Sequence, residues 1–325
     1  LGGNGNDSII GNDIANELSG ANGNDTLDGG NGNDTLIGGL GDDSLDGGNG
    51  SDWASYAGAT AAITIDLNAN SSAGEHGTDA LRNIENVLGG NGNDSIIGND
   101  IANELSGGDG NDTIYASNLG DNIFGGAGND TITVNLDFTT LLSNGEAAGS
   151  IVAGDGNDRV TITNAGVAHT TFSPVGTADI LTPFVAVDLG AGDDVFESNG
   201  MIDRLTLGAG RDVLLFERFL QNTDGVVTDF QTGANGDRLD WNLVIQSDLS
   251  LDDVDFEPFI TEYVRLLQVG NDTHFQIAPN GYSQQFQTLA VFRNTQATSF
   301  TAENLGFDPN HATLIGTTAG ETLGG

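Results

Sequence analysis

The sequence predicts an all-β protein: parallel β-rolls of 18-residue coils, followed by a wider β-helix or β-sandwich region. Three observations predict it. From Gly20 to Ser55 four nonapeptides follow one another: G-A-N-G-N-D-T-L-D, G-G-N-G-N-D-T-L-I, G-G-L-G-D-D-S-L-D and G-G-N-G-S-D-W-A-S. Glycine stands at steps one and four and Asp at step six, with Leu at step eight in the first three. The acidic residues are periodic rather than blocked, in a chain of formal charge −39. Finally, 50 of the 325 residues are glycine, with no cysteine and no lysine.

Each part of the nonapeptide has a physical role. Glycine permits a tight loop with positive φ and close backbone approach. The T-L or S-L run after the Asp forms a short strand that turns Leu27, Leu36 or Leu45 inward. Two nonapeptides make one coil, so loops 18 residues apart stack on one side. Asp25 then lies beside Asp43, and Asp34 beside Asp52, about 4.8 Å apart along the axis. Two carboxylates at that distance repel by a few kcal/mol at an effective dielectric of about 20. A hard divalent cation between them reverses the sign, and loop carbonyls complete the oxygen shell that Ca²⁺ takes. Mg²⁺ demands a tighter octahedron, and transition metals favour Cys or clustered His.

Composition narrows the function classes. Such acidity without metal would mean a disordered chain, but periodic aspartates followed by apolar strand positions favour a metal-dependent fold. Eight arginines against 47 acidic residues exclude a nucleic-acid or anionic-membrane surface. No run approaches the length of a membrane-spanning helix, so no membrane insertion is expected. Without disulfides, a chain outside the cell needs another staple, which millimolar calcium can provide.

In chain order, residues 1–56 form a first roll of nonapeptides. Its second repeat, Gly11 to Ser19, keeps Leu18 but carries Asn16 at the Asp step, predicting a weak or absent metal site. Residues 57–87 are a β linker that lays further strands on the roll, with Ile63-Thr-Ile-Asp-Leu67 alternating as a half-buried strand. Leu88 to Gly107 repeats Leu1 to Gly20 letter for letter and opens a second roll, 88–133, in which Asn103 repeats the departure at Asn16. Residues 134–253 keep residual loops ending in Asp158, Asp194 and Asp212, spaced 36 and 18 apart, between longer strands. Residues 254–310 read as an antiparallel β cap, and 311–325 as the start of a further repeat block. Because the chain opens at Leu1-Gly2-Gly3 and closes at Leu323-Gly324-Gly325, it is expected to be a piece of a longer repeat with a period of 322 residues.

These repeats resemble the RTX (repeats-in-toxin) proteins, bacterial proteins exported by type I secretion that fold on meeting calcium. The resemblance covers residues 2–55 and 89–133 most specifically. It extends through the Asp52-to-Val87 linker and the Val227-Thr-Asp-Phe230 to Asn304-Leu305 region. It implies several Ca²⁺ ions and carboxylate ligands at Asp7, Asp25, Asp34, Asp43, Asp52, Asp94, Asp112, Asp121 and Asp130, joined by the residual Asp158, Asp194 and Asp212. Loop carbonyls of Gly30, Asn31 and Gly32, and of Gly48, Asn49 and Gly50, would complete the shells. Asn16 and Asn103 depart from the pattern, and a secretion signal is not recognisable.

A catalytic centre is not expected. His76, His169, His274 and His311 are isolated, and neither H-E-x-x-H nor G-x-S-x-G occurs. The absence of lysine and cysteine removes a P-loop, a Schiff base and a thiol nucleophile. Trp53 and Tyr56 could form a sugar platform but fit core or capping positions better. The expected role is a structural calcium-binding segment of a large secreted or cell-surface protein: a surface layer, fibre or adhesin. Its partners would be copies of itself or adjoining segments. Two alternatives stand beside it: a non-catalytic carrier module of a type I-secreted enzyme, and a glycan- or partner-binding module in 134–310.

Overall fold

The computed structural model describes residues 1–117, 120–136, 149–164, 185–198, 204–216, 226–240, 264–277, 286–305 and 313–315. His169, His311, the closing tripeptide and all but Thr313–Ile315 of the expected last repeat block lie outside the described residues. The chain divides into two compact units, residues 1–158 with 164–168, and residues 159–163 with 169–325.

The first unit is a solenoid with two parallel sheets. In one, Ser8 pairs with Thr26 and Thr26 with Ser44, a register of one 18-residue coil. In the other, Glu17 pairs with Thr35, Thr35 with Trp53, Trp53 with Asn86, Asn86 with Glu104 and Glu104 with Asn122. Pairing therefore runs on through the linker. Ile63–Asp66, Ser71–Gly74 and Gly77–Arg82 form an antiparallel meander whose outer strands join the parallel strands Ser95–Ile97 and Ser44–Asp46. The alternation read in Ile63 to Leu67 is the cause: Ile63, Ile65 and Leu67 all face inward and are buried.

Inward Leu and Ile stack in columns through the coils. Leu27, Leu36, Leu105 and Ile114 are wholly buried. Each contributes about 1.5–3 kcal/mol of burial free energy, an upper bound against a compact unfolded chain. The duplicated segment shows the role of neighbours. Leu18 retains 8% exposure and Leu105, in the same sequence, 0%. The strand Glu17–Asn22 has Thr35–Leu40 on one side and only the short stretch 2–5 on the other, whereas Glu104–Asp109 has a strand on both sides.

The second unit keeps the parallel pattern where its residues are described. Arg159 pairs with Val195, Val195 with Val213 and Val213 with Arg238. In the facing sheet Ala186 pairs with Arg204 and Arg204 with Val226. Val226–Val227 then pairs with Gln287–Phe292, which heads the antiparallel strands Asp272–Ile277 and Val264–Val269. Phe230, Phe292 and Phe300 pack their rings 4.6–5.4 Å apart beside these strands. A single helical turn, Ala302–Leu305, follows.

Candidate metal centre

Glycine loops bring the step-six aspartates into columns, and each column has a regular hydrogen-bond ladder. The backbone N–H of one Asp donates to Oδ1 of the Asp one coil further on. Asp7 donates to Asp25 at 2.7 Å, Asp25 to Asp43 at 2.7 Å and Asp34 to Asp52 at 2.6 Å. In the second block Asp94 donates to Asp112 at 2.7 Å, Asp112 to Asp130 at 2.8 Å and Asp130 to Asp158 at 2.7 Å. Asn103 donates to Asp121 at 2.9 Å, and in the second unit Asp194 donates to Asp212 at 3.0 Å. The step-five side chains run a second ladder in the opposite sense: Asn24 N–H donates to Asn6 Oδ1 at 2.9 Å, and Asn129 N–H to Asn111 Oδ1 at 2.6 Å. Stacking thus uses one carboxylate oxygen per Asp.

The other oxygen is left over. Oδ2 of Asp25, Asp34, Asp43, Asp52, Asp112, Asp130 and Asp212 is buried and has no hydrogen-bond partner. A buried unpaired anion is among the most costly features a fold can contain. Step-one glycine explains how the oxygen fits. A Cβ on Gly29 would lie 2.5 Å from both Asp34 Oδ2 and the Gly47 carbonyl oxygen, so these two oxygens converge on bare backbone. At step two the chain turns left-handed: Gly30 has φ +98° and Ala21, the one alanine in that place, +83°.

Electrostatics point the same way. Burial pushes the Asp43 and Asp112 carboxyls up to about 6, and the Asp130 and Asp212 carboxyls up to about 7. Repulsion from neighbouring rungs, such as Asp158 and Asp112 on Asp130, adds to it. Burial likewise raises Asp52, Asp94 and Asp158. These groups await a positive charge.

Ca²⁺ fits them. The donors are all oxygens, as a hard cation requires. Among the described residues no three His, Cys, Asp or Glu side chains converge, so backbone carbonyls must complete each shell. Of those expected, the Gly30 and Asn49 carbonyls already accept inter-loop N–H bonds, from Asn49 at 2.8 Å and Gly32 at 2.9 Å. Each carbonyl keeps a second lone pair. The Gly47 carbonyl, which converges with Asp34 Oδ2, is one the sequence reading missed.

The columns end differently. Asp7 Oδ2 accepts the Gly3 N–H at 2.8 Å and Asp94 Oδ2 the Gly90 N–H at 2.7 Å. Asn16 and Asn103 close their own loops in the same way, through the N–H groups of Asn12 and Asn99. Further rungs come from outside the repeats. Asp79 Oδ1 accepts the Asp43 N–H at 2.9 Å, while its Oδ2 accepts the Tyr56 and Ser72 hydroxyls at 2.8 and 2.9 Å. Glu85 Oε2 accepts the Asp52 N–H at 2.9 Å, and Asp237 Oδ1 the Asp212 N–H at 3.1 Å. Spacings of 33 and 25 residues hide Glu85 and Asp237 from an 18-residue search, while Asp79 lies two full periods from Asp43. Tyr56 is a buried capping residue, 2% exposed, not a sugar platform.

Stacked glycine loops with paired oxygens and inward Leu or Ile define a calcium-binding parallel β-roll. Residues 1–25, 19–54, 88–118 and 115–137 match, in four copies, the family model described as the RTX calcium-binding nonapeptide repeat. These segments are RTX repeats and bind calcium. No curated protein matches the chain. Among the described residues no helix is long and apolar enough to cross a membrane.

Proposed function

We propose that this chain is a non-catalytic, calcium-folded structural segment of a bacterial protein that works outside the cell, of the surface-layer, fibre or adhesin kind. It assembles there with copies of itself or with adjoining segments. The observation that carries this reading is the set of buried, unpartnered Oδ2 atoms of Asp25, Asp34, Asp43, Asp52, Asp112 and Asp130. In a calcium-poor cytoplasm these anions repel and the repeats stay unfolded; millimolar calcium outside the cell supplies the missing charge. RTX proteins are typically secreted, which agrees with a chain stapled by cations rather than disulfides.

A calcium titration followed by far-UV circular dichroism tests it. β-structure should appear cooperatively at roughly 10⁻⁴ to 10⁻³ M calcium, the range of extracellular modules. Magnesium at equal concentration should not replace it. Full β-structure in excess chelator overturns the reading. Electron microscopy with and without chelator tests assembly: rods or sheets are expected in calcium, and monodisperse monomers at millimolar calcium would reject that part.

A further inference from the structure

In the second unit the loop Gln231 to Asp237 ends a carboxylate column but contains no nonapeptide. Its Asp237 occupies the next rung below Asp212 and is wholly buried. Unlike Asp212 above it, it has both oxygens engaged: Oδ1 by the Asp212 N–H and Oδ2 by the Gln231 N–H at 2.7 Å. The loop also turns three carbonyl oxygens inward, those of Gln231, Gly233 and Asp237. One group meets all three. The side-chain amide nitrogen of Asn304 donates to Asp237 O at 2.7 Å, Gly233 O at 3.2 Å and Gln231 O at 3.5 Å.

The other end of that amide is equally committed. Asn304 Oδ1 accepts the Gly233 N–H at 2.8 Å, the Thr301 N–H at 3.0 Å and the Thr301 hydroxyl at 2.8 Å. Asn304 is fully buried. Its setting is fixed by contacts that need no cation: Thr232 Oγ1 donates to Ser299 Oγ at 2.9 Å, and Phe230 stacks on Phe300 at 5.3 Å. An NH₂ group carries two hydrogens of partial positive charge and no lone pair for donation to a cation. Set among three carbonyls, it supplies locally what a cation supplies in the repeat loops.

We propose that the Asn304 side-chain amide stands in a cation's place, so that the loop Gln231–Asp237 and the turn 297–305 fold without calcium and form a metal-independent end of the second unit. This rests on the calcium reading of the repeat loops. It gives the calcium-dependent coils a fixed surface on which to stack. An aspartate in place of Asn304 would remove both hydrogens and add a carboxylate to the same three carbonyls, which converts the amide-filled loop into a candidate calcium site.

Hydrogen–deuterium exchange on the full chain, read by mass spectrometry, tests this. In excess chelator, peptides covering 226–240 and 297–305 should keep their protection while peptides covering 20–52 and 107–130 lose theirs. Asn304→Asp should lose protection at 226–240 in chelator and regain it in millimolar calcium. Equal loss at 226–240 and at the repeat loops in the unsubstituted chain overturns the proposal, as does failure of calcium to restore Asn304→Asp. If the repeat loops also stay protected in chelator, the calcium reading of the repeats fails. The Asn304→Asp response then decides alone: an unchanged loop overturns the proposal, and a calcium-reversible loss supports it.

Discussion

Asp112→Asn should stabilise the metal-free chain and reduce the further stability that calcium adds. Asp112 is an inner rung, 1% exposed, with Asp94 above it and Asp130 below. The amide keeps an oxygen for the Asp94 N–H but loses the charge and the unpartnered Oδ2. Burial, helped by repulsion from Asp94 and Asp109, raises this carboxyl from 3.8 to about 6. At neutral pH that converts to at most about 3 kcal/mol of destabilisation in the metal-free fold, and about half that after relaxation and solvent screening. Removing the charge should therefore stabilise the chelated protein by roughly 1–3 kcal/mol. In calcium the same substitution weakens the sites on either side of the rung. For dissociation constants of 10⁻⁴ to 10⁻³ M at millimolar calcium, each lost site removes about 0.4–1.4 kcal/mol of linked stability. The far-UV β-signal that remains in chelator, and denaturant unfolding in calcium, measure the two terms. A loss of equal size in both conditions would refute the reasoning, because it would make Asp112 an ordinary structural residue.

Further outcomes follow from the same geometry. Gly29→Ala places a Cβ 2.5 Å from Asp34 Oδ2 and the Gly47 carbonyl, whereas a Cβ on Gly3 meets nothing. The first should destabilise the calcium-bound fold by about 1–3 kcal/mol and raise the calcium midpoint, and Gly3→Ala should leave both near the parent values. Tyr56→Phe strips Asp79 and Ser72 of a buried hydroxyl at 2.8 and 2.7 Å, costing about 1–3 kcal/mol in thermal or denaturant unfolding. Acid should partly replace calcium. Asp43, Asp112, Asp130 and Asp212 hold protons up to about pH 6–7 in the metal-free fold, against about 3.9 unfolded. Their contribution is full below about pH 4 and is lost as pH rises through 6–7, so chelated β-structure should fade over that interval. The calcium midpoint should fall over the same interval, since fewer protons are displaced; a midpoint that rises with pH would contradict it.

Much of this was legible because the repeat writes its own register. A strict period of nine with one Asp and one Leu fixes both the 18-residue pairing, as in Thr26 with Ser44, and the burial of Leu27 and Asp25. The linker was legible as strands through the alternation at Ile63 and Ile65, but not as continuous pairing from Trp53 to Asn86. No local pattern announces a register step of 33 residues. The same limit hid Glu85 and Asp237, whose spacings fit no multiple of 18. Asp79, by contrast, stands at step six of a loop with Gly74 and Gly77 at steps one and four and was within reach of the pattern. The part Asn304 plays is not legible in the sequence, since it depends on three carbonyls about 70 residues away. Asp7 and Asp94 carry the full motif yet spend Oδ2 on Gly3 and Gly90. The loop stacked before that of Asp94, at Ala59 and Ala61, lacks the glycine pair.

The most direct measurement is an anomalous difference map from crystals of the full chain grown in calcium. Peaks should lie about 2.3–2.6 Å from Oδ2 of Asp25, Asp34, Asp43, Asp52, Asp112 and Asp130, each shared with loop carbonyls. The self-closed loops at Asn16 and Asn103 should lack one on the side where Asn12 and Asn99 donate. A map with no peak at those aspartate oxygens, in a chain that is nevertheless folded, would contradict the assignment of these loops as calcium sites.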